Sequence, residues 1–106
     1  MIARFWRGWV RPEDASAYTA YLEHTGLTEY RRTPGNRGAW LLQRRDGART
    51  EIIALSFWDS YEAITAFAGA DITRARFYPE DDRYLVAREW TVTHHEVAAG
   101  GATSPP

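Results

Sequence analysis

Cysteine is absent from the 106-residue chain, which excludes a disulfide, a thiolate nucleophile and a thiolate-bound structural zinc. Neither sign of charge is in surplus, since Lys+Arg 13 face Asp+Glu 14 for a net charge of −1. No excess of positive charge is therefore available to displace counterions from a nucleic acid. Apolar runs stay well short of the ~18–20 residues of a membrane-spanning helix. The opening MIARFWRGWVR lacks the pattern of a secretory signal, and a cytoplasmic protein with no membrane partner is expected. GxGxxG, P-loop, HExxH and GxSxG motifs are missing too. Dinucleotide binding, nucleotide hydrolysis and serine-hydrolase chemistry lose their usual sequence support.

Aromatic residues are plentiful: Trp 5, Tyr 6 and Phe 4. Each can bury roughly 150–250 Å², and a domain of this size has little interior to receive them. Part of that surface must cover something besides the chain's own core, either a partner subunit or a ligand. Hydrophobic residues at 44% and charged residues at 25% otherwise describe an ordinary globular domain rather than a disordered one.

The residue pattern predicts a first strand over Ile2–Val10, closed by Arg11-Pro12, with a large aromatic and an arginine on each face. Pro12, Glu13 and Asp14 suit the first turn of a helix. Tyr18, Tyr21, Leu22 and Thr25 continue it at helical spacing up to a stop or kink at Gly26. The stretch from Arg31 to Gly38 reads as a loop. A hairpin follows: strand Ala39–Arg45, turn Asp46-Gly47, return strand Arg49–Trp58. On the return strand Ile53, Leu55 and Phe57 form a face suited to packing under helices. The other face, Ile52, Ala54, Ser56 and Trp58, carries no charge, so both are expected to be covered. Asp59, with Glu62 three residues on, predicts the capping box of a second helix, whose buried stripe is Tyr61, Ile64, Phe67 and Ala68. Pro79-Glu80-Asp81-Asp82 resembles the start of a short helical turn, and Thr91–Val97 a last strand. Residues 1–97 form one domain on this reading, and 98–106 a flexible tail.

The order β-α-β-β-α-β is the split βαβ, ferredoxin-like arrangement: an α+β fold with a four-stranded antiparallel sheet and two helices on one face. The uncovered face, expected to carry Trp58, Ala54 and Ile52, is too apolar for water, and a second copy packed sheet to sheet would cover it. Over residues 1–97 the chain resembles the dimeric α+β barrel superfamily, and within it the antibiotic biosynthesis monooxygenase-like domains. The junction Leu55-Ser56-Phe57-Trp58-Asp59-Ser60-Tyr61-Glu62-Ala63 is its most specific point: a strand, then Trp, then an acid or serine, then Glu-Ala opening the second helix. The loop Thr33–Asn36 and the ending Thr93–Val97 are similar to small bacterial members.

The resemblance implies a homodimer, with Trp58 lining a pocket and a flat aromatic or polyketide-like substrate. The implied reaction is oxygenation of a quinol or anthrone without a cofactor. Haem-degrading relatives use a histidine near the end of the second helix and an asparagine on a neighbouring strand. Here that helix ends Ala66-Phe67-Ala68-Gly69-Ala70, and the first strand has no asparagine.

Candidate site residues follow from residue type. Arg4 can hold an enolate or phenolate in a dry pocket, and Trp6, on the same strand face, can wall it. Trp58 can stack a flat ligand, and Phe77 and Tyr78 can belong to a lid. His94 and His95 are adjacent on a strand and point to opposite faces, so they cannot grip one ion together. His94 and Glu96 share a face, as two metal ligands or as an acid–base with its orienting carboxylate. No metal site is expected from two ligands alone, and His94 is assigned to proton movement; axial haem ligation by His94 or His95 is a further reading. A non-catalytic dimeric module that binds a small hydrophobic ligand is the alternative of another class. The arginines at 31, 32, 37, 44, 45 and 49 form a local basic concentration. RNA-recognition modules share the element order, but Glu51–Trp58 lacks their basic-Gly-aromatic-x-aromatic stacking pattern, so no nucleic-acid partner is expected.

Overall fold

A computed structural model describes residues 1–103. β1 (Ile2–Val10) leads through a 3₁₀ turn at Pro12–Asp14 into α1 (Ala15–His24) and α2 (Gly26–Arg32). The hairpin of β2 (Asn36–Asp46) and β3 (Arg49–Trp58) follows, then α3 (Tyr61–Ala68), the single-turn α4 (Asp81–Tyr84), β4 (Leu85–Arg88) and β5 (Thr93–Glu96). The sheet is antiparallel, in the order β2-β3-β1, with β4 and β5 sharing the free edge of β1. β4 pairs with Gly8–Val10, and β5 with Ile2–Phe5. The expected α+β, ferredoxin-like fold is present, with its last strand divided in two.

Several local expectations are corrected. The helix after β1 breaks at Thr25, whose backbone (φ −112, ψ −90) leaves the helical region and whose hydroxyl donates to the Tyr21 carbonyl at 2.9 Å. α2 then occupies part of the predicted loop. The N-cap of α3 is Ser60, whose Oγ accepts from the Ala63 amide at 3.2 Å. Asp59 instead pairs with Arg37 at 2.5 Å, so an ion pair across the junction takes the acid away from the helix end. The last strand spans Thr93–Glu96 rather than Thr91–Val97. Residues 98–103 form no helix or strand; the rest of the expected tail, Ser104 to Pro106, lies outside the described residues.

The two faces of the sheet are the reverse of those expected for β3. Ile2, Arg4, Trp6, Gly8 and Val10 of β1 and Ile52, Ser56 and Trp58 of β3 are buried on the helix side. The cross-strand register explains this choice. Ile2 stands opposite Trp58, Arg4 opposite Ser56, Trp6 opposite Ala54, and Gly8 opposite Ile52. Bulk on one strand meets a small residue on the other along the middle of this row, which fills the layer under the helices without overlap. Gly8 is required there: a Cβ would lie 2.4 Å from the Trp6 ring and 2.7 Å from Leu85. Two apolar clusters complete the core. Val10, Ala15, Tyr18, Leu22 and Ile52 hold α1 to the sheet, and Ile2, Trp58, Ile64 and Phe67 hold α3.

The opposite face carries Phe5, Ile53, Leu55 and Phe57 with Trp40 and Leu42 of β2 beside them. Trp40 is 52% and Leu42 44% exposed, and no helix covers them. Toward the hairpin end this face becomes charged: Glu51 is buried between Arg44 at 2.9 Å and Arg7 at 3.6 Å, and Arg7 also reaches Glu89 at 2.8 Å. The basic concentration seen in the sequence is largely matched by carboxylates, with Arg31 on Glu23, Arg37 on Asp59, Arg44 on Glu51 and Arg49 on Asp46.

Candidate functional site

Between the helix side of the sheet and α1, α2 and the segment before α4 lies a cavity. β1 contributes Arg4 and Trp6, β3 Ala54, and the helices Tyr18, Leu22, Gly26, Leu27, Tyr30 and Phe67. Ala75, Arg76, Phe77 and Tyr78 close it from the irregular segment, and Asp81 from α4. The space open to the centres of water-sized atoms is about 40 Å³, room for a few waters. A larger ligand requires this segment to move. Backbone bonds tie it to the strand connection, from the Ala75 amide to the Trp90 carbonyl (3.0 Å) and from the Val92 amide to the Thr73 carbonyl (2.8 Å). Side chains tie it to α2: the Tyr78 hydroxyl donates to Glu29 Oε2 at 2.5 Å, and Arg76 pairs with the same carboxylate at 3.2 Å.

Arg4 is 2% exposed, in a wall that is otherwise mostly aromatic and aliphatic. Nη1 donates to the Ile72 carbonyl at 2.6 Å and lies 2.9 Å from His94 Nε2, and Nη2 donates a long bond of 3.4 Å to the Arg74 carbonyl. Nε has no partner. Among the described residues no carboxylate forms an ion pair with this guanidinium, while ten other ion pairs are present. Burial lowers the Arg4 pKa, against the opposing pull of the nearby Tyr30 phenol. A buried cation without a counter-ion is costly unless an anion joins it.

His94 stands directly opposite Arg4 in the β1–β5 register, so the two expected catalytic residues do come together. Their arrangement gives the histidine a different part from the one expected. Arg4 can only donate, so His94 Nε2 is the acceptor and the ring is the neutral Nδ1–H tautomer. Burial first, then the charge of Arg4, lowers the His94 pKa. Its Nε2 lone pair is thus occupied by Arg4, and His94 is outside the cavity wall. Glu96, expected as its orienting carboxylate, is exposed and makes no hydrogen bond to it. His95 is on the other face, 3.3 Å from the Thr93 hydroxyl. No cluster of three metal-ligating side chains occurs among the described residues.

Trp6, Phe77 and Tyr78 line the cavity. The Trp6 indole N–H donates to the Glu89 carbonyl at 2.7 Å, and its ring meets Phe77 edge-on at 6.1 Å. Trp58 is fully buried outside the wall, its indole N–H donating to Ser56 Oγ at 2.9 Å and its ring packed against Tyr30 and Phe67. It holds the aromatic layer behind the cavity rather than lining it.

Two wall residues are unmarked in the sequence. Asp81, 2% exposed, accepts from the Tyr18 hydroxyl at 2.8 Å and from the Tyr78 amide at 2.5 Å. Burial pushes its carboxyl up, opposed by those two donors and by Arg88. Burial, then the charge of Asp81, pushes the Tyr18 phenol far up, so it stays neutral. Pro79-Glu80-Asp81-Asp82 marks a helical turn but does not say which acid turns inward. No histidine lines this cavity to ligate a haem: α3 ends without one, His94 Nε2 faces a guanidinium, and His95 is exposed on the other face of β5.

No protein-family model matches the sequence, and no curated protein does. Solved structures do resemble it over nearly its whole length. Rv0793 from Mycobacterium tuberculosis shares 22% identity at a TM-score of 0.62, covering 95% of this chain and 98% of that one. A candidate antibiotic biosynthesis monooxygenase from Bacillus cereus shares 14% identity at a TM-score of 0.66, covering 99% and 98%. The heme-degrader MhuD from M. tuberculosis, solved with two hemes in its active site, shares 18% identity at a TM-score of 0.60, covering 96% and 100%. The chain thus has the fold of the antibiotic biosynthesis monooxygenase-like proteins.

Proposed function

We propose that the chain is a small homodimeric enzyme that binds a flat phenol or enol as its anion and oxygenates it without a cofactor, a quinol or an anthrone being the substrate class. The observation that carries this reading is Arg4: buried, without a carboxylate partner, and with Nε unsatisfied. An anionic oxygen beside it supplies the missing counter-charge, and the guanidinium in turn favours ionisation of the bound substrate. His94 and the Ile72 carbonyl hold the guanidinium in place, so His94 is a positioning residue. Trp6 and Phe77 supply the apolar walls.

For a ring CH₂, the chemistry balances with O₂ as the only co-reactant. Ionisation releases one proton, and the carbanion passes an electron to O₂. The resulting radical pair joins as a peroxide on that carbon, the proton returns, and loss of water with the second C–H hydrogen leaves a carbonyl. One oxygen atom stays in the product and the other leaves as water.

A second copy is the occupant proposed for the open sheet face. Phe5, Trp40, Leu42, Ile53, Leu55 and Phe57 make a contiguous apolar patch, and large exposed patches of this kind mark interaction sites.

Two measurements test the reading. Oxygen uptake with dithranol (a hydroxylated anthrone) and with a naphthoquinol should exceed the spontaneous rate in the wild type and fall to it in Arg4→Met. Equal turnover by the variant removes Arg4 from the mechanism. Sedimentation equilibrium should give a dimer that Trp40→Glu converts to a monomer, and a monomeric wild type would sink the sheet-to-sheet pairing.

A further inference from the structure

Besides Arg76 and Tyr78, whose polar ends engage Glu29, and Tyr30 beside Arg4, the cavity is polar at two places, and the proposed reading uses only one. Arg4 marks one. The other is Tyr18 with Asp81, both cavity-lining and both at most 2% exposed. They lie toward opposite ends of β1, because Tyr18 packs in the cluster with Val10 and Ile52, and Ile52 pairs with Gly8. Arg4 and Gly8 are four residues apart, about 13 Å along a strand, and the long Arg4 and Tyr18 side chains close part of that gap. Trp6 lies between them on the same row.

The hydrogen-bond inventory at the second place is lopsided. The Tyr18 hydroxyl spends its only proton on Asp81 Oδ1, and Asp81 Oδ2 accepts from the Tyr78 amide. The phenol oxygen keeps free acceptor capacity and each carboxylate oxygen a further lone pair, with no donor left over. This end therefore accepts hydrogen bonds, whereas the Arg4 end donates them and attracts anions. A ligand lying along Trp6 meets opposite demands at its two ends.

We infer that Tyr18 and Asp81 form a hydroxyl-reading site, so that the ligand is a flat aromatic with an acidic oxygen at one end and a neutral hydroxyl at the other. The inference rests on the proposed binding of an aromatic anion at Arg4 and narrows it to hydroxylated substrates: a quinol, or an anthrone carrying a distal phenol.

Isothermal titration calorimetry with 2-naphthoate and 6-hydroxy-2-naphthoate tests it apart from any turnover. In the wild type the hydroxylated probe should bind about tenfold tighter or better, as for a hydrogen bond to a charge-linked acceptor. In Asp81→Asn, which keeps size and adds a donor, that advantage should vanish while 2-naphthoate affinity is kept. Tyr18→Phe, which leaves the carboxylate in place, should shrink it and serves as the second variant should Asp81→Asn not fold. Equal affinity of the two probes for the wild type overturns the hydroxyl-reading site and leaves the anion site standing, as does an advantage that survives both variants. Failure of both probes to bind the wild type overturns the anion reading at Arg4, and this inference with it.

Discussion

Replacing Arg4 by methionine should make the protein more stable while abolishing its affinity for aromatic anions. Taking a cation out of water costs several kcal/mol even after relaxation. The folded chain offsets this with a bond to the Ile72 carbonyl at 2.6 Å, a contact with His94 at 2.9 Å and a marginal bond of 3.4 Å. Nε is left unsatisfied. Two good charge-assisted bonds return about 1.5–3 kcal/mol each, which barely balances the cost, and no carboxylate adds to them. Methionine keeps the unbranched shape and removes the charge, at the expense of the Ile72 and Arg74 carbonyls and one half-buried imidazole left without their donor. The expected net gain is about 1–2 kcal/mol, within the range seen when buried charges become apolar. For a domain of this size each kcal/mol moves Tm by roughly 4–8 °C. Thermal denaturation followed by circular dichroism gives the change directly. Adding 2-naphthoate at about 100 times Kd should stabilise the wild type by about 2.7 kcal/mol and the variant not at all. A Tm at least 10 °C below wild type would refute the reasoning, because it would mean that the guanidinium binds the core together rather than waiting for an anion.

Three further outcomes follow from other contacts. His94 has a folded-state pKa below its ordinary value, so below pH 6.5 the unfolded chain takes up a proton that the folded chain refuses. Stability should fall as pH is lowered through that window, less steeply in His94→Gln, and parallel pH–Tm curves would deny the depressed His94 pKa. Glu29→Gln weakens the tie from α2 to Tyr78 and Arg76, so stopped-flow mixing should show faster 2-naphthoate entry; an unchanged rate would mean the ligand enters elsewhere. Gly8→Ala forces a Cβ to within 2.4 Å of the Trp6 ring and should cost about 1–3 kcal/mol in a urea titration. A neutral result would show that the indole can swing away.

Much of the fold is legible in the residues, because β1 and β3 advertise themselves through dense apolar and aromatic runs ended by Pro12 and Asp59. The side of β3 that meets the helices is not legible. From Ile52 to Trp58 neither row carries a charge, so alternation there gives no sign, and only Arg49 and Glu51 beside the hairpin turn mark the open row. The choice depends on which neighbour on β1 is bulky where β3 is small. β4 escapes notice because Leu85–Arg88 is only four residues long and borrows its partner from an edge it shares with β5. Arg4 and His94 are readable as chemistry, and their direct pairing follows from a register that only the folded sheet fixes. Asp81 is unreadable as a wall residue, since nothing in Glu80-Asp81-Asp82 distinguishes the acid that meets Tyr18 from the two that meet solvent. Trp58 stands out in the sequence for its position before α3, and its full burial explains why a large residue is required there without any contact with a ligand.

The divided edge of β1 has an evolutionary consequence. β4 and β5 are each anchored to β1 by their own register. The four residues between them are held through Glu89 to Trp6 and Arg7 and through Trp90 and Val92 to Thr73–Ala75, so substitutions that keep those backbone bonds can change their side chains without slipping either strand. That connection carries Trp90, which packs on Phe77, and Val92, which lines the cavity. Descendants of such a chain can thus reshape the pocket by substitution at Trp90 and Val92, with Arg4 and its strand partners untouched.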